Sequence, residues 1–484
     1  MDDGDLPIFD RQAETMSDAE RTAIQIRRLA AMAGRLLAAG GSQAERLRAA
    51  GVTHGREVTL DSLPGLPFTR KQDLWDGYPF GLLAVPRDEV VAVHGSSGTG
   101  GRPTLVSYTR GDLDLWSQMC ARALAAAGAT AASTVHNAYG YGLFTGGLGI
   151  HQGAIRLGAT VVPVSGGMTA RQLTLLQDLK PDILACTPSY AIRLGEAFAE
   201  RGVKPGELSL RAGLFGAEPW SEPMRARIGD LLGLRALDIY GLSEVIGPGV
   251  AAECLVAADG LHVNEDHFLV EAIDPASGVR VPDGTPGELV FTTLTKQALP
   301  LLRYRTGDVA ALRRGPCPCG RTLVKMTKVA GRTDDMLVIR GVNVYPAEVE
   351  RVLLADGRMS PHYLLVVDAR AAVKDLIVAV EPRTAAAAGS GQAGASGSGQ
   401  AAGSGPAGVS GSGQAAGSGP AGVSGSGHAD LLAQELTRAI GEQLGLRARV
   451  RVLAAGTVPR TEVGKAVRVR TWTAGEPPLP GLDG

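Results

Sequence analysis

Between residues 93 and 103 the chain reads Val-His-Gly-Ser-Ser-Gly-Thr-Gly-Gly-Arg-Pro, which sets four glycines, three hydroxyls and one guanidinium between apolar runs at 90–93 and 104–108. Glycine lets successive backbone N–H groups turn toward one anion with no Cβ in the way, hydroxyls add donors, and arginine adds charge. The chemistry implied is a grip on a polyphosphate. The nucleotide pattern G-x-x-x-x-G-K-[ST] is excluded, because Gly101 and Arg102 stand where its lysine and hydroxyl belong. The same residue types build ordinary surface turns, so the rest of the chain must decide. Further clusters follow in order: Gly216-Ala217-Glu218-Pro219, Asp238 with Tyr240-Gly241-Leu242-Ser243-Glu244, Tyr304-Arg305-Thr306-Gly307-Asp308, Gly331-Arg332-Thr333-Asp334-Asp335 and Pro459-Arg460-Thr461-Glu462-Val463-Gly464-Lys465. Separately, Cys317-Pro318-Cys319 sets two soft ligands one residue apart.

Elements must hold these clusters in place. Ser17-Asp18-Ala19-Glu20 forms a capping-box pattern and predicts a first helix, with Ile24, Ile26, Leu29, Met32, Leu36 and Leu37 as its apolar face and Gly40-Gly41 as its stop. From 90 to 241 short β-rich runs alternate with helical stretches at 112–128, 169–179 and 189–201, which predicts α/β layers with crossovers and with the motifs at strand ends. Residues 262–312 are strand-dense, with turn signals at 274–278 and 282–284, and predict an antiparallel subdomain completing the large domain. The expected fold class is α/β: a large N-terminal domain over 1–333, with layered α/β subdomains and a β subdomain, and a small mobile α+β domain over 334–474. The small domain reads as two strands, a helix begun by Pro346-Ala347-Glu348, more strands, a helix at 430–444 and a last strand at 448–453.

Residues from about 385 to 427 are almost wholly Gly, Ala, Ser, Pro and Gln, and include two identical 14-residue copies at 397–410 and 411–424. So few apolar anchors cannot offset the entropy of ordering, which predicts disorder. Loop closure costs only about 0.6 kcal/mol per doubling of length, so a folded domain tolerates such a tandem-duplicated surface loop.

At 484 residues, with 44% hydrophobic and 20% charged side chains, the chain can bury a sizeable core and exceeds one ordinary domain. A formal net charge of −1 provides no global basic field for nucleic acid or an anionic membrane. The acidic start lacks the basic and apolar regions of a signal peptide, and no apolar run approaches the ~20 residues of a membrane span. A soluble cytoplasmic protein, with neither nucleic acid nor membrane as partner, is expected. Five cysteines in a chain of this kind argue against a disulfide framework.

The ordered clusters resemble the adenylate-forming superfamily of acyl-CoA synthetases, nonribosomal adenylation domains and luciferases. The resemblance is closest to the phenylacetate–CoA ligase family and its aryl-acid relatives, through residues 139–147 (Tyr-Gly-Tyr-Gly-Leu-Phe-Thr-Gly-Gly), 215–220, 240–248 and Glu265-Asp266-His267-Phe268, and it spans about 67–470. It implies ATP-dependent activation of an aromatic carboxylic acid, phenylacetate-like or substituted-benzoate-like, to acyl-AMP with release of pyrophosphate, then transfer to CoA. An adenylating enzyme that passes its acyl group to a carrier-protein thiol or to a nitrogen nucleophile is the alternative. By the same resemblance, Ser96, Ser97, Gly98, Thr99 and Arg102 hold the β/γ-phosphates, Glu244 binds Mg2+, Asp308 accepts the ribose hydroxyls, and Ala217, Glu218 and Tyr240 frame the adenine. Pro219, Asp238, Gly241, Ser243 and Arg332 complete the nucleotide site. Lys465 bridges the acid oxygen and the α-phosphate during adenylation, and Lys71 approaches the substrate carboxylate. Asp334 is the hinge about which the small domain rotates between half-reactions, with Gly341 and Val342 near the thiol tunnel. Two departures stand out: Gly100 replaces the usual Thr, and Arg102 the usual Lys, which keeps the charge and adds a fork of donors.

The resemblance also bears on acid and metal. Tyr141, Phe144, Gly216 and Ala217 match the lining of the phenylacetate pocket, where a small-residue floor and aromatic walls suit a flat ring; packing in the core is the other reading of the two aromatics. Several sequences of the family pair Cys-x-Cys-Gly with an upstream Cys and His, which here are Cys254 and His262, with His267 as a substitute ligand. Cys254, His262, Cys317 and Cys319 would suit a closed tetrahedral Zn2+ that pins a loop. Against this stands a buried apolar Cys254 beside two reduced loop thiols. A homodimer is left open.

Overall fold

The computed structural model describes residues 7–96, 103–333, 336–340, 342–355, 357–371, 374–383, 425–461 and 466–482. Ser97, Gly98, Thr99, Arg102, Asp334, Gly341, Lys465 and the duplicated segment lie outside the described residues.

The first long helix, Asp18–Ala39, starts at the expected capping box on Ser17 and stops at Gly40, whose φ of +77° favours glycine. Its inward face differs from expectation at the N-terminal end. Leu29, Met32 and Leu36 are buried, but Ile26 is 44% exposed. The inward stripe continues instead through Gln25 and Arg21, because this end of the helix lies over a polar loop: Gln25 Nε2 donates to the Glu265 carbonyl at 2.9 Å, and Arg21 Nε lies 3.3 Å from Glu265 Oε2. The arm before the helix is tied to the 320s. Arg321 Nε donates to Glu14 Oε2 at 2.6 Å with both side chains buried, Thr322 donates its N–H to the Glu14 carbonyl, and its hydroxyl donates to the Met16 carbonyl.

A nine-stranded sheet forms the centre. Five parallel strands lie in the order Thr160–Val162, Thr134–Asn137, Ile183–Cys186, Ala212–Gly216 and Arg235–Leu242. Helices Gly146–Leu157, Thr169–Asp178, Pro188–Glu200 and Glu222–Leu232 provide the crossovers that parallel pairing requires. Beyond Arg235–Leu242 the sheet turns antiparallel, through Gly247–Ala252, Leu261–Val263, Lys325–Met326 and Leu312–Arg313. A separate antiparallel sheet runs Phe268–Ile273, Gly287–Thr293, Tyr304–Ala310 and Gly331–Arg332, as the strand-dense stretch predicts.

Past residue 336 come the hairpin Leu337–Ile339/Val342–Val344, the helix Pro346–Leu354, and a four-stranded sheet ordered Ala448–Val452, Asp375–Pro382, Met359–Asp368 and Val469–Trp472. Strand 448–452 is therefore not the last. Val469–Trp472 pairs parallel to Met359–Asp368 and closes the sheet; its polar neighbours hide it from a hydrophobicity reading. Phe198, Met224 and Leu231 join Val349, Leu353 and Tyr363 in one apolar cluster, so this unit packs against helices Pro188–Glu200 and Glu222–Leu232. Among the described residues, no helix is long and apolar enough to cross a membrane.

Candidate active site

The Gly/Ser run joins two antiparallel strands, Ala92–Ser96 and Thr104–Tyr108, with Ser96 opposite Thr104. Ser96 Oγ donates to Glu244 Oε1 at 3.1 Å, so the first hydroxyl of the run meets the buried carboxylate of a distant cluster. Glu244 sits on the turn after Arg235–Leu242. That turn closes tightly, since a Cβ on Gly241 would stand 1.9 Å from the Gly247 carbonyl oxygen. Three side chains tie it: Tyr108 hydroxyl donates to the Ile246 carbonyl at 3.0 Å, Thr145 and Ser243 hydroxyls lie 3.2 Å apart, and Lys296 Nζ donates to the Glu244 carbonyl at 3.1 Å. Lys71 Nζ, at the start of helix Lys71–Asp76, stands 3.9 Å from Glu244 Oε1, and Trp75 binds this helix to the hairpin through Thr104 Oγ1 at 2.8 Å. Ser96, Lys71, Ser243 and Glu244 are thus brought together.

Sequence reasoning missed Lys296. It is 1% exposed, with its ammonium 4.9 Å from the centre of the Tyr108 ring. Burial pulls its pKa from 10.5 down to about 8, against the opposing pull of Asp112 and Glu244. The signal available was a lone lysine in the largely apolar run 289–302.

A second group forms around Asp308, whose strand pairs it with Arg332. Arg332 Nη1 donates to Asp308 Oδ1 and Tyr240 hydroxyl to Oδ2, each at 2.7 Å, while the Tyr240 ring stacks on Phe291 at 5.9 Å. Asp238, two residues before Tyr240, is buried, as Glu244 and Asp308 are. Burial, with Glu253 nearby, raises its pKa to about 6 despite the Lys328 charge.

Gly216 ends a central strand, where a Cβ would lie 2.2 Å from the Ile239 carbonyl oxygen. Ala217 then turns the chain with φ +71°, leaving itself and Pro219 exposed and Glu218 half-buried. Of the two aromatics read as pocket walls, Tyr141 is half-buried and Phe144 is half-exposed. Tyr141 is held by its hydroxyl, which accepts from Asn137 Nδ2 at 2.7 Å and lies 3.2 Å from His151 Nδ1; burial pushes its pKa up to about 12. The segment between the two aromatics leans on the strand before the Gly/Ser run, where Gly95 N–H donates to the Leu143 carbonyl at 2.9 Å.

Four buried side chains meet elsewhere. The ligand atoms of Cys254, His262, Cys317 and Cys319 all lie within 4.8 Å of one another. Cys254 Sγ is 3.8 Å from Cys317 Sγ, and Cys319 Sγ is 3.6 Å from His262 Nε2. A tetrahedral zinc with bonds of about 2.3 Å to sulfur and about 2.0 Å to nitrogen has S–S edges of about 3.8 Å and S–N edges of about 3.5 Å, so the set fits that ion. His267 is not part of it: its Nε2 is 2.9 Å from Asp266 Oδ2 and its Nδ1 is 2.8 Å from Thr295 Oγ1.

The model of the AMP-binding enzyme family matches residues 23–294, and that of the AMP-binding enzyme C-terminal domain matches 341–396. The phenylacetate-coenzyme A ligase of Thermus thermophilus is 50% identical over 410 residues, 85% of this chain and 87% of that protein. The chain belongs to the phenylacetate–CoA ligase family of AMP-binding enzymes. The ligase of the same description from Escherichia coli is 51% identical over 69% of this chain and 76% of its own. Among solved structures, 2-hydroxyisobutyryl-CoA ligase in its postadenylation state superposes with a TM-score of 0.81, at 27% identity and over 97% of this chain and 94% of that one. The same protein in its thioesterification state, with CoA, gives 0.66 at 28% identity over the same shares.

As an AMP-forming acid–CoA ligase, the enzyme activates a carboxylic acid with ATP to an acyl-AMP and then forms the CoA thioester. Transfer to a carrier protein or to a nitrogen nucleophile is not favoured.

Proposed function

We propose that the acid is aromatic, phenylacetate-like or a substituted benzoate, and that the enzyme converts it in the cytoplasm to its aryl-CoA thioester. The observation that carries this reading is the bond from Gly95 N–H to the Leu143 carbonyl. It sets the segment between Tyr141 and Phe144 directly against the strand that ends at Ser96, whose hydroxyl meets Glu244. A flat ring held between these aromatics and the small floor at Gly216 and Ala217 would direct its carboxylate toward the phosphate loop. The curated relatives named as phenylacetate-coenzyme A ligases support the same class.

A carboxylate cannot expel oxide, so one of its oxygens attacks the α-phosphate and pyrophosphate leaves. Charge builds on the phosphoryl oxygens during this displacement, and fixed cations and donors lower its barrier. Ser96, Ser97, Gly98, Thr99 and Arg102 hold the outer phosphates, and Lys465 provides the ammonium shared by the acid oxygen and the α-phosphate. Lys71, beside Glu244, would draw the acid's carboxylate inward. The hard oxygens of Glu244 and Ser96 suit Mg2+, which would neutralise the phosphate charge. Asp308, with Arg332 and Tyr240 on its two oxygens, takes the ribose hydroxyls, and Ala217 to Pro219 edge the adenine. Asp334 divides the domain over 1–333 from the mobile domain over 334–474, whose rotation exchanges the Lys465 face for one that admits CoA. Cys254, His262, Cys317 and Cys319 would hold a structural Zn2+ that fixes their loop and takes no part in the chemistry.

A panel of aryl and alkyl acids assayed for pyrophosphate release, with and without CoA, tests the reading. Aryl acids should lead the panel, with AMP release dependent on CoA. A preference for short alkyl acids would refute the aromatic class.

A further inference from the structure

Glu218 lies in the segment assigned above to the adenine edge, yet each oxygen of its carboxylate already has an occupation. Oε1 accepts the N–H of Ser189 at 2.8 Å, together with the Ser189 hydroxyl, at the start of helix Pro188–Glu200. Oε2 accepts the N–H of Ala466 at 2.9 Å. Ser189 belongs to the central α/β unit, whereas Ala466 belongs to the C-terminal unit and directly follows Lys465 in the chain. One carboxylate therefore spans the two units at the peptide next to the adenylation lysine. We propose that Glu218 is a positioning residue, the catch that holds the Ala466 peptide, next in sequence to Lys465, for the adenylation half-reaction and must release before thiol attack.

Three observations support this. Ala217, in the left-handed region, redirects the chain as it leaves the sheet, so Glu218 projects from a fixed corner instead of a loose loop. Other carboxylate contacts line this face: Glu350 Oε1 accepts the N–H of Ser221 at 2.9 Å, and the His362 ring meets Glu196, Nε2 lying 3.1 Å from Oε2. Finally, the superposition is much closer with 2-hydroxyisobutyryl-CoA ligase in its postadenylation state than in its thioesterification state, so the contact belongs to an arrangement of the first kind. A carboxylate accepting backbone N–H groups is a directional, charge-assisted contact, and rotation of the C-terminal unit would break it outright.

The inference rests on the assignment of Lys465 to adenylation, and the test separates the two. In the full-length enzyme, acyl-AMP formation from the best acid of the panel and thioester formation from the corresponding synthetic acyl-AMP with CoA are measured separately. The variants are Glu218→Ala, Glu218→Gln, Ser189→Ala and Lys465→Ala, and melting curves accompany them. Glu218→Ala should slow acyl-AMP formation on the order of tenfold to a hundredfold, through kcat much more than through KM for ATP, while the thioester step keeps its rate. Glu218→Gln, which retains one accepting oxygen, should fall between Glu218→Ala and the wild type. Ser189→Ala should leave both steps near wild type.

Equal loss in both steps, or a raised KM for ATP with kcat intact, would overturn the catch in favour of a structural or nucleotide-contacting role. So would Ser189→Ala matching Glu218→Ala. If Glu218→Ala and Glu218→Gln both melt far below the wild type, Glu218 is a folding residue and the proposal also fails. Should Lys465→Ala spare adenylation, the assignment of Lys465 fails instead.

Discussion

Replacing Lys296 with methionine separates what the buried ammonium costs the fold from what it does for the site. Its pKa falls from 10.5 to about 8; about 2.5 units at about 1.36 kcal/mol each makes the charged lysine a burden of about 3 kcal/mol at pH 7. The sign follows from proton counting. Between pH 8 and 10.5 the unfolded chain holds the proton that the folded one has released, so wild-type stability rises with pH across that window, and the full cost stands below it. Methionine fills a similar volume but leaves the Glu244 carbonyl without its donor, a loss of about 1–3 kcal/mol. The two terms nearly cancel, so Lys296→Met should be as stable as the wild type at pH 7 or more stable by up to about 2 kcal/mol. By pH 9.5 the wild type should have gained about 2 kcal/mol on the variant. Activity should move the other way. The turn bearing Glu244 loses one of its ties, and acyl-AMP formation should fall on the order of tenfold to a hundredfold, as for a displaced catalytic group. Urea midpoints at pH 7 and 9.5, followed by tryptophan fluorescence, and pyrophosphate release at saturating Mg2+ measure both effects. A pH-independent loss of about 3 kcal/mol or more would refute the reasoning, and so would full activity.

Freshly purified enzyme should contain about one equivalent of zinc and lose thermal stability on chelation or in Cys317→Ser, because binding of a structural metal contributes to folding; metal analysis showing none refutes the site. Gly216→Ala should be destabilised by about 3 kcal/mol or fail to accumulate in soluble form, since the new Cβ would meet the Ile239 carbonyl oxygen across a paired strand that cannot yield; calorimetry showing an unchanged Tm would contradict this. Deleting residues 397–410, one copy of the duplicated segment, should change stability by no more than about 0.6 kcal/mol and leave kcat unchanged, whereas a large loss of turnover would reveal a role that composition does not disclose.

Contacts near in sequence, or carried by a recognised motif, were legible; partners brought in from afar were not. The Ser17 capping box lies within four residues and appears as read. Ser96 meets Glu244 at the end of its strand, and Asp308 meets Arg332 within the antiparallel sheet that the strand-dense stretch implied. Lys296 stands out in sequence only as a lone cation in an apolar run, and the fold shows it under Tyr108 and behind Glu244. Apolar spacing points Ile26 inward because it cannot reveal that Gln25, one residue earlier, has a partner 240 residues away. The motif's spacing does not reveal that Asp238 is buried near Glu253 and Lys328. The second occupation of Glu218 depends on a peptide 248 positions later, beyond what any local pattern encodes.

The arm before the first helix has a consequence for how the chain is made. Glu14 and Arg321 are 307 residues apart, and Thr322 and Arg21 secure the same junction. At synthesis rates of about 5–20 residues per second, the arm emerges roughly 15–60 s before its anchor. Throughout that interval Glu14 remains in water, and the helix behind it presents Arg21 and Gln25 where an apolar stripe would have been exposed. The polar end of that helix thus gives the nascent chain little to aggregate through while it waits, and the N-terminus is among the last parts of the large unit to lock.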